Sequence, residues 1–426
     1  MTPERTWFGQ PRGLTVLFLT NMWEQFSYFG MRALLIYYMT KQLLIADARA
    51  ASIYGTYTAA AYFTPIIGGV IADRYLGKRR AILIGGSIMA LGHFMMAFEP
   101  LFFPALAVIA LGNGLFLPSL PSQVGNLYRP EDPRRGWAYN VYYVGVNIGG
   151  FLAPLLCGTI GELFGWHYGF AVAGVGMLVG LVIYLSGQRY LPPEPERSPV
   201  VTTETRGRVE RKLALLILGF GIAVTAFRAA YEQSGIAVAL WADSGVDRHA
   251  GSFSIPMTWF QSMNPLFVML FTPPLLAWWQ RRAAAGHVQA AARRMASGAL
   301  IVAASYLMLA AVAWASGSHH ASWLWLVAYF AVLTIGELLI LPTGLGLFAR
   351  LAPSGFGATA VAAWFFFSFT GNFTSGWVGS LWSSLSHPVF FCVSAALCGF
   401  TALVLMMLDG PTARLERDRA VTTESD

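Results

Sequence analysis

Charged residues are scarce in this chain: Asp, Glu, Lys and Arg make up 12% of 426 residues, about half the share of an ordinary soluble domain. That scarcity excludes a soluble fold with a solvated surface. Cysteine is nearly absent as well. Cys157, Cys392 and Cys398 all fall in apolar stretches at no metal spacing, which excludes a disulfide framework or a cysteine zinc site and leaves small buried hydrophobes. The histidine pair His319-His320 has no carboxylate or cysteine nearby in sequence, so it reads as part of a polar loop and no metal is expected. No nucleophile–base constellation stands among the polar residues of the apolar stretches, and neither an enzyme nor a cofactor is expected.

What is abundant is apolar sequence, at 56%. Long apolar windows run near 14–39, 52–75, 80–98, 102–128, 137–160, 165–187, 213–241, 253–279, 295–315, 321–350, 356–384 and 387–408. Each has the length a bilayer-crossing helix requires. The sequence therefore predicts an all-α integral membrane protein of twelve transmembrane helices. The first window is too long for a signal-peptide core, carries Glu24 and Arg32, and is followed by no small-residue cleavage site, so it is expected to stay in the mature protein.

The net charge of +7 acquires its meaning from topology. With the N-terminus inside, the outer loops hold only Lys41, Arg49 and Arg248, while Arg32 and Arg228 lie within spans. The rest of the Lys and Arg then face the cytoplasm, as the positive-inside rule requires. This orientation places both termini in the cytoplasm of a cell (inner) membrane protein. It makes lipid headgroups, not nucleic acid, the partner of the basic residues.

The stretch 188–211, with Pro192, Pro193, Glu194, Pro195 and Glu196, interrupts the apolar pattern after six spans. It reads as a cytoplasmic linker between an N-terminal six-helix bundle, 1–187, and a C-terminal one, 212–408, followed by a cytoplasmic tail, 409–426. Two echoes favour a duplicated architecture. Gly112-Asn113-Gly114-Leu115-Phe116-Leu117-Pro118 in span four parallels Gly336-Glu337-Leu338-Leu339-Ile340-Leu341-Pro342 in span ten. Trp23-Glu24-Gln25 in span one parallels Tyr231-Glu232-Gln233 in span seven. In such folds a substrate site lies near the bilayer midplane between the halves.

The formal charges well inside the spans are Glu24, Arg32, Arg228, Glu232 and Glu337, all on spans one, seven and ten. Each costs at least roughly 2.5–3.5 kcal/mol at the bilayer centre, so each should face water, a partner or a ligand. Arg228 and Glu232 are four residues apart and can pair along one helical face. Such a pair is either structural or a switch that a proton or an arriving carboxylate breaks. Glu337 has no base within a helical turn in sequence and suits exchange of a proton or an ammonium. Asn21, Tyr28, Asn147, Gln261, Ser262 and Asn264 also fall at mid-span depth, where polar side chains either bind substrate or hydrogen-bond between helices.

Several segments in order carry a resemblance: Trp23-Glu24-Gln25-Phe26-Ser27-Tyr28-Phe29-Gly30-Met31-Arg32, Gly68-Gly69-Val70-Ile71-Ala72-Asp73-Arg74 with Gly77-Lys78-Arg79, and Tyr142-Tyr143-Val144-Gly145-Val146-Asn147-Ile148-Gly149. Trp259-Phe260-Gln261-Ser262-Met263-Asn264-Pro265 and Thr334-Ile335-Gly336-Glu337-Leu338 follow. Over nearly the whole chain the sequence resembles the proton-dependent oligopeptide transporters of the major facilitator superfamily. The resemblance implies a secondary active transporter that takes up small peptides or peptide-like zwitterions together with protons, by alternating access. It implies that Glu337 holds the substrate amine, that Asn147 and Asn264 hydrogen-bond the peptide with Gln261 beside them, and that Tyr28 and Arg32 line its carboxyl end. Glu24 and Glu232 then serve protonation, and Asp73, Arg74, Lys78 and Arg79 belong to a gating loop that most major facilitators share.

Three departures from the family pattern stand out. Where the family has Glu-x-x-Glu-Arg on helix one, this chain has Asn21-Met22-Trp23-Glu24-Gln25, and Leu117 replaces the helix-four lysine. Losing an acid and two bases together avoids leaving any one of them buried and unpaired, and Arg228 is placed to replace the lost carboxylate clamp. The rearranged network leaves open a shifted substrate, such as an anionic or peptide-derived metabolite moved in either direction, and a non-transporting receptor. The short linker leaves no room for two extra helices between the halves.

Overall fold

The computed structural model describes residues 6–7, 9–129, 132–194, 211–286, 289–351 and 357–423. Its first six long helices are α1 (Arg12–Tyr37), α2 (Asp47–Ile71), α3 (Lys78–Met95), α4 (Phe102–Asn126), α5 (Arg134–Phe164) and α6 (Trp166–Gly187). Helix α7 comes in two pieces, Arg211–Tyr231 and Ala237–Ser244. It is followed by α8 (Met263–Ala284), α9 (Ala291–Ser316), α10 (Leu324–Leu351), α11 (Gly357–Ser380) and α12 (His387–Thr423).

Among the described residues, seven of these helices are long and apolar enough to cross a membrane on composition alone: α4, α5, α6, α7, α9, α10 and α12. Three of the five remaining long helices have visible reasons for a weaker signal. Helix α1 carries Arg12, Glu24 and Arg32, α3 opens on Lys78-Arg79-Arg80, and α8 contains Pro273-Pro274 and ends on Arg281-Arg282. Polar groups inside α1 are functional candidates, and basic residues at helix ends belong to the membrane surface, so neither argues against spanning. The expected all-α membrane fold is the fold observed, with twelve long helices among the described residues.

Two compact units arise from the contacts. Unit 1 comprises Met1–Ile45, Ala60–Val201 and Ala250–Leu266, and unit 2 comprises Ala46–Ala59, Thr202–His249 and Phe267–Asp426. In unit 1, Leu14 and Leu17 of α1, Ile82 and Met89 of α3, Phe116 and Leu120 of α4 and Tyr184 of α6 share one buried cluster. Of the linker region, 195–210 lies outside the described residues. The last helix continues to Thr423, through most of the stretch 409–426 that the sequence sets apart as a tail.

Glycines set the closest helix approaches. A methyl at Gly85 of α3 would sit 2.6 Å from the Gly112 carbonyl oxygen of α4, and one at Gly298 of α9 would sit 2.6 Å from that of Gly336 of α10. The first residues of the span-four and span-ten echo, Gly112 and Gly336, therefore do the same packing job in the two halves. Small residues of this kind let membrane helices approach backbone to backbone. Cys157 and Cys398 are buried, whereas Cys392 is exposed on the outside of α12. The apolar pattern of α12 does not distinguish its lipid-facing side from its packed side, so the sequence does not reveal that exposure.

Candidate functional site

In unit 2 the site forms where α7 breaks. The α-helix stops at Tyr231, a 3-10 turn covers Glu232–Ser234, and the helix restarts at Ala237. Gly235 and the polar run Glu232-Gln233-Ser234 weaken the helix locally. Backbone groups released by such a break inside a membrane must find other partners. The Ala230 carbonyl accepts from the Tyr306 hydroxyl of α9 at 2.6 Å, and Gln233 Nε2 donates to Ala229 O and to Ser375 O of α11, each at 2.9 Å. The break is thus held open by its neighbours.

At this break the Arg228 guanidinium donates to Glu232 Oε1 at 3.2 Å, with side-chain exposures of 8% and 1%. The i,i+4 pairing expected from sequence is present, and its burial makes it dependent on both partners. Gly371 of α11 lies directly behind the Arg228 Cβ, where any larger residue would collide. Tyr231 stacks on Phe227 with ring centroids 5.6 Å apart, and the Arg228 guanidinium lies 5.9 Å from the Tyr231 ring centroid. The Tyr231 hydroxyl is within hydrogen-bonding reach of the buried Glu337 of α10.

Glu337 owes its place to its neighbour. Gly336 packs on Gly298, and the next residue projects about 100° further round the helix, away from that contact. At the echoed position in unit 1, Asn113 is buried and donates to the Ala61 carbonyl of α2 at 2.9 Å. The echo therefore places an interhelical amide in one unit and a carboxylate in the other.

In unit 1, Glu24 is buried and its Oε2 accepts from Gln25 Nε2 at 2.7 Å. Gln25 stands where the family pattern has arginine, so a neutral amide partners the carboxylate locally. Asn21 Nδ2 donates to the Tyr142 carbonyl of α5 at 3.1 Å, which gives it an interhelical role. Asn147 is buried, and its Nδ2 donates to the Tyr143 carbonyl one turn back at 2.9 Å, leaving its side-chain oxygen available to another donor. Tyr28 and Arg32 are half-buried on α1, Gln261 is half-buried in the 3-10 turn Met257–Ser262 that precedes α8, and Asn264 is half-buried in the first turn of α8. Ser262 instead donates to the Phe151 carbonyl at 2.8 Å, a helix-to-helix bond.

The gating-loop residues fall into two groups. Asp73 and Arg74 are exposed in the turn that ends α2. Arg79 reaches the end of α6, donating to Leu191 O at 3.0 Å and Pro192 O at 2.6 Å, and its backbone N–H meets Glu194. Lys78 lines the same small cleft.

Sequence reasoning missed three contributors. Tyr231 stands in the span-seven echo with no role of its own and Tyr306 is not singled out by the sequence; the break in α7 gives both polar work. Glu162, near the end of α5, accepts from Met257 N at 3.1 Å, from Thr258 N at 2.9 Å and from Thr258 Oγ1 at 2.5 Å. It caps the turn leading into α8, where helix-start N–H groups lack internal partners. No local signal announces a cap 95 residues away.

An all-α membrane fold with a broken helix that carries a buried ion pair beside a buried carboxylate is the frame of a secondary transporter of the major facilitator class. The model of the POT family matches residues 79–206 and 198–390. The chain is 30% identical to a di-/tripeptide transporter of Lactococcus lactis subsp. cremoris, with 97% of this chain and 98% of that protein covered. It is also 30% identical to an uncharacterized transporter of Bacillus subtilis (strain 168), over 96% and 94%. A POT family transporter crystallised with 5-aminolevulinic acid superposes with a TM-score of 0.88 at 26% identity, covering 96% of this chain and 98% of that one. The chain belongs to the proton-dependent oligopeptide transporter family.

Proposed function

We propose that this protein takes up small peptides or peptide-like zwitterions by proton-coupled alternating access. In this reading it lies in the cell (inner) membrane with both termini in the cytoplasm. The observation that carries the reading is the buried trio of Arg228, Glu232 and Glu337 gathered around the break in α7. Glu337 receives the substrate ammonium, and Tyr231 steadies its carboxylate. An arriving substrate carboxylate competes with Glu232 for Arg228. Once Arg228 is drawn away, Glu232 is a buried carboxylate that has lost this ion pair, and taking up a proton offsets that loss. Substrate binding and protonation are thereby linked through one guanidinium, as reciprocal coupling requires. Tyr28, Arg32, Asn147, Gln261 and Asn264 supply further substrate contacts, Glu24 a second protonation site, and Asp73, Arg74, Lys78 and Arg79 the gating loop.

The test is uptake of labelled dialanine into proteoliposomes with and without an inward proton gradient. Gradient-driven uptake is expected in the wild type. Glu337→Gln abolishes it for substrates with a free amine, while the variant elutes as folded protein. Undiminished uptake by folded Glu337→Gln would sink the amine clamp. A second reading, transport of a smaller amine-carboxylate metabolite, draws support from the relative crystallised with 5-aminolevulinic acid. Stronger competition by that compound than by dialanine would favour it.

A further inference from the structure

Helix α1 opens on Arg12-Gly13-Leu14-Thr15, and α6 ends at Gly187 before the 3-10 turn Gln188-Arg189-Tyr190. The positive-inside rule accounts for arginines at these two helix ends. It does not account for where the fold gathers them. The ends meet closely, since a methyl at Gly13 would sit 2.8 Å from the Tyr190 carbonyl oxygen and one at Gly187 would collide with Val16. Beside that contact opens a cavity of about 520 Å³ whose lining includes Arg12, Leu19, Ile183, Arg189 and Tyr190. That volume falls within the usual range of small-ligand sites, roughly 300–1,000 Å³.

Both arginines are drawn to one aromatic ring. The Arg189 guanidinium lies 4.9 Å and the Arg12 guanidinium 5.7 Å from the Tyr190 ring centroid, and each is within hydrogen-bonding reach of its hydroxyl. Among the described residues neither guanidinium is in an ion pair. The first turn of α1 and the turn Gln188–Tyr190 contain no acidic residue, and Glu194, the next acid along the chain, meets the Arg79 backbone N–H instead. Two like charges held at one ring repel each other, and an anion between them would relieve that repulsion. Each guanidinium has five N–H donors in a planar fork, so a bond to the phenol oxygen leaves others for phosphate oxygens. Deeper in, the wall turns apolar. Leu19 follows Arg12 by seven residues and Ile183 precedes Tyr190 by seven, which places both about 10 Å further along their helices at 1.5 Å per residue. Val182 and Leu185, next to Ile183 on α6, are exposed. None of these residues belongs to the transport site.

We infer that this cavity between the start of α1 and the end of α6 binds an anionic phospholipid. Arg12 and Arg189 hold its phosphate oxygens, Tyr190 keeps the two guanidinia together, and Leu19 and Ile183 receive the upper part of an acyl chain. Basic pockets between membrane helices suit anionic headgroups in this way. The change from basic rim to apolar wall selects a lipid over free phosphate, which would use the rim alone. A lipid seated there adds contacts between two helices of unit 1. Assigning it to the cytoplasmic leaflet rests on the orientation proposed above, whereas binding itself does not.

The experiment uses the purified full chain in detergent micelles, where orientation plays no part. Native mass spectrometry counts the lipid retained during titration with phosphatidylglycerol or phosphatidylcholine, with inorganic phosphate as competitor in a parallel arm. Hydrogen exchange follows the amides of the first turn of α1 and of Gln188–Tyr190. Phosphatidylglycerol is expected to be retained in preference to phosphatidylcholine and to slow exchange in both segments. R12Q/R189Q should bind it about thirtyfold more weakly, on the basis of two lost surface charges, and lose that protection. R281Q/R282Q, which removes the same charge from the end of α8, should keep it. Equal protection in the wild type and R12Q/R189Q, loss of protection in R281Q/R282Q as well, or equal retention of phosphatidylcholine overturns the proposal. Displacement of the lipid by millimolar inorganic phosphate overturns it too, because the rim alone would then suffice. Should R12Q/R189Q fail to fold, R12K/R189K keeps the charge without the planar fork, and undiminished protection in that variant counts equally against it.

Discussion

Removing either partner of the Arg228–Glu232 pair should destabilise the protein more than removing both. At 3.2 Å and with exposures of 8% and 1%, the two charges are withdrawn from water. At an effective dielectric of about 20 their attraction is about 5 kcal/mol, largely offset by the cost of desolvating both groups. The net worth of the intact pair is therefore small, yet a single member left behind is a buried charge stripped of this ion pair, and breaking a buried pair from one side costs about 3–5 kcal/mol. For a unit of some two hundred residues each kcal/mol shifts an unfolding midpoint by about 2–4 °C. Glu232→Gln and Arg228→Met should each unfold roughly 6–20 °C earlier on that scale. Arg228→Met/Glu232→Gln should recover more than half of the larger loss. The measurement is thermal unfolding of the wild type and three variants in one detergent, followed by intrinsic fluorescence and treated as a double-mutant cycle. Shifts that simply add in the double variant would refute the argument, because they would mean that neither charge needs the other. The same double variant, stable but without the switch, should not couple uptake to a proton gradient.

Other outcomes follow from single contacts. Tyr231→Phe removes the hydroxyl beside Glu337 and a bond worth about 0.5–1.5 kcal/mol; the half-saturation concentration for dialanine should rise a few-fold while the unfolding midpoint stays near wild type. Glu162→Ala strips the cap from Met257 and Thr258, and with hydrogen bonds to a charged group worth about 1.5–3 kcal/mol it should speed hydrogen exchange of those two amides. Unchanged exchange there would show that the cap is dispensable. Gly55 of α2 lies against the Gly376 backbone of α11. Gly55→Val should therefore lower both expression and the unfolding midpoint, whereas Gly286→Ala, in a turn with positive φ and open space around it, should register only a modest conformational strain.

Much of this protein is legible in its sequence because a membrane imposes simple rules on a chain. Apolar length marks the helices, the Lys and Arg distribution suggests their orientation, and charges that lipid would not tolerate single out Glu24, Arg32, Arg228, Glu232 and Glu337. Helical periodicity alone was enough to join Arg228 to Glu232. The echo between spans four and ten pointed to Gly112 and Gly336, and both prove to be packing glycines.

Tertiary structure decided what depends on partners distant in the chain. Periodicity cannot show that α7 breaks at Glu232, since the break persists only because Tyr306 and Gln233 satisfy the carbonyls it releases. Nor can it show that Tyr231 reaches Glu337, that Ser262 and Asn21 spend their polar atoms holding helices together, or that Glu162 caps a turn far along the chain. A bilayer rewards apolar character at every lipid-facing position alike, so the sequence of a membrane helix says that it spans and carries little record of which neighbour each face will meet. The spans belong to the sequence, and the network that turns them into a transporter belongs to the fold.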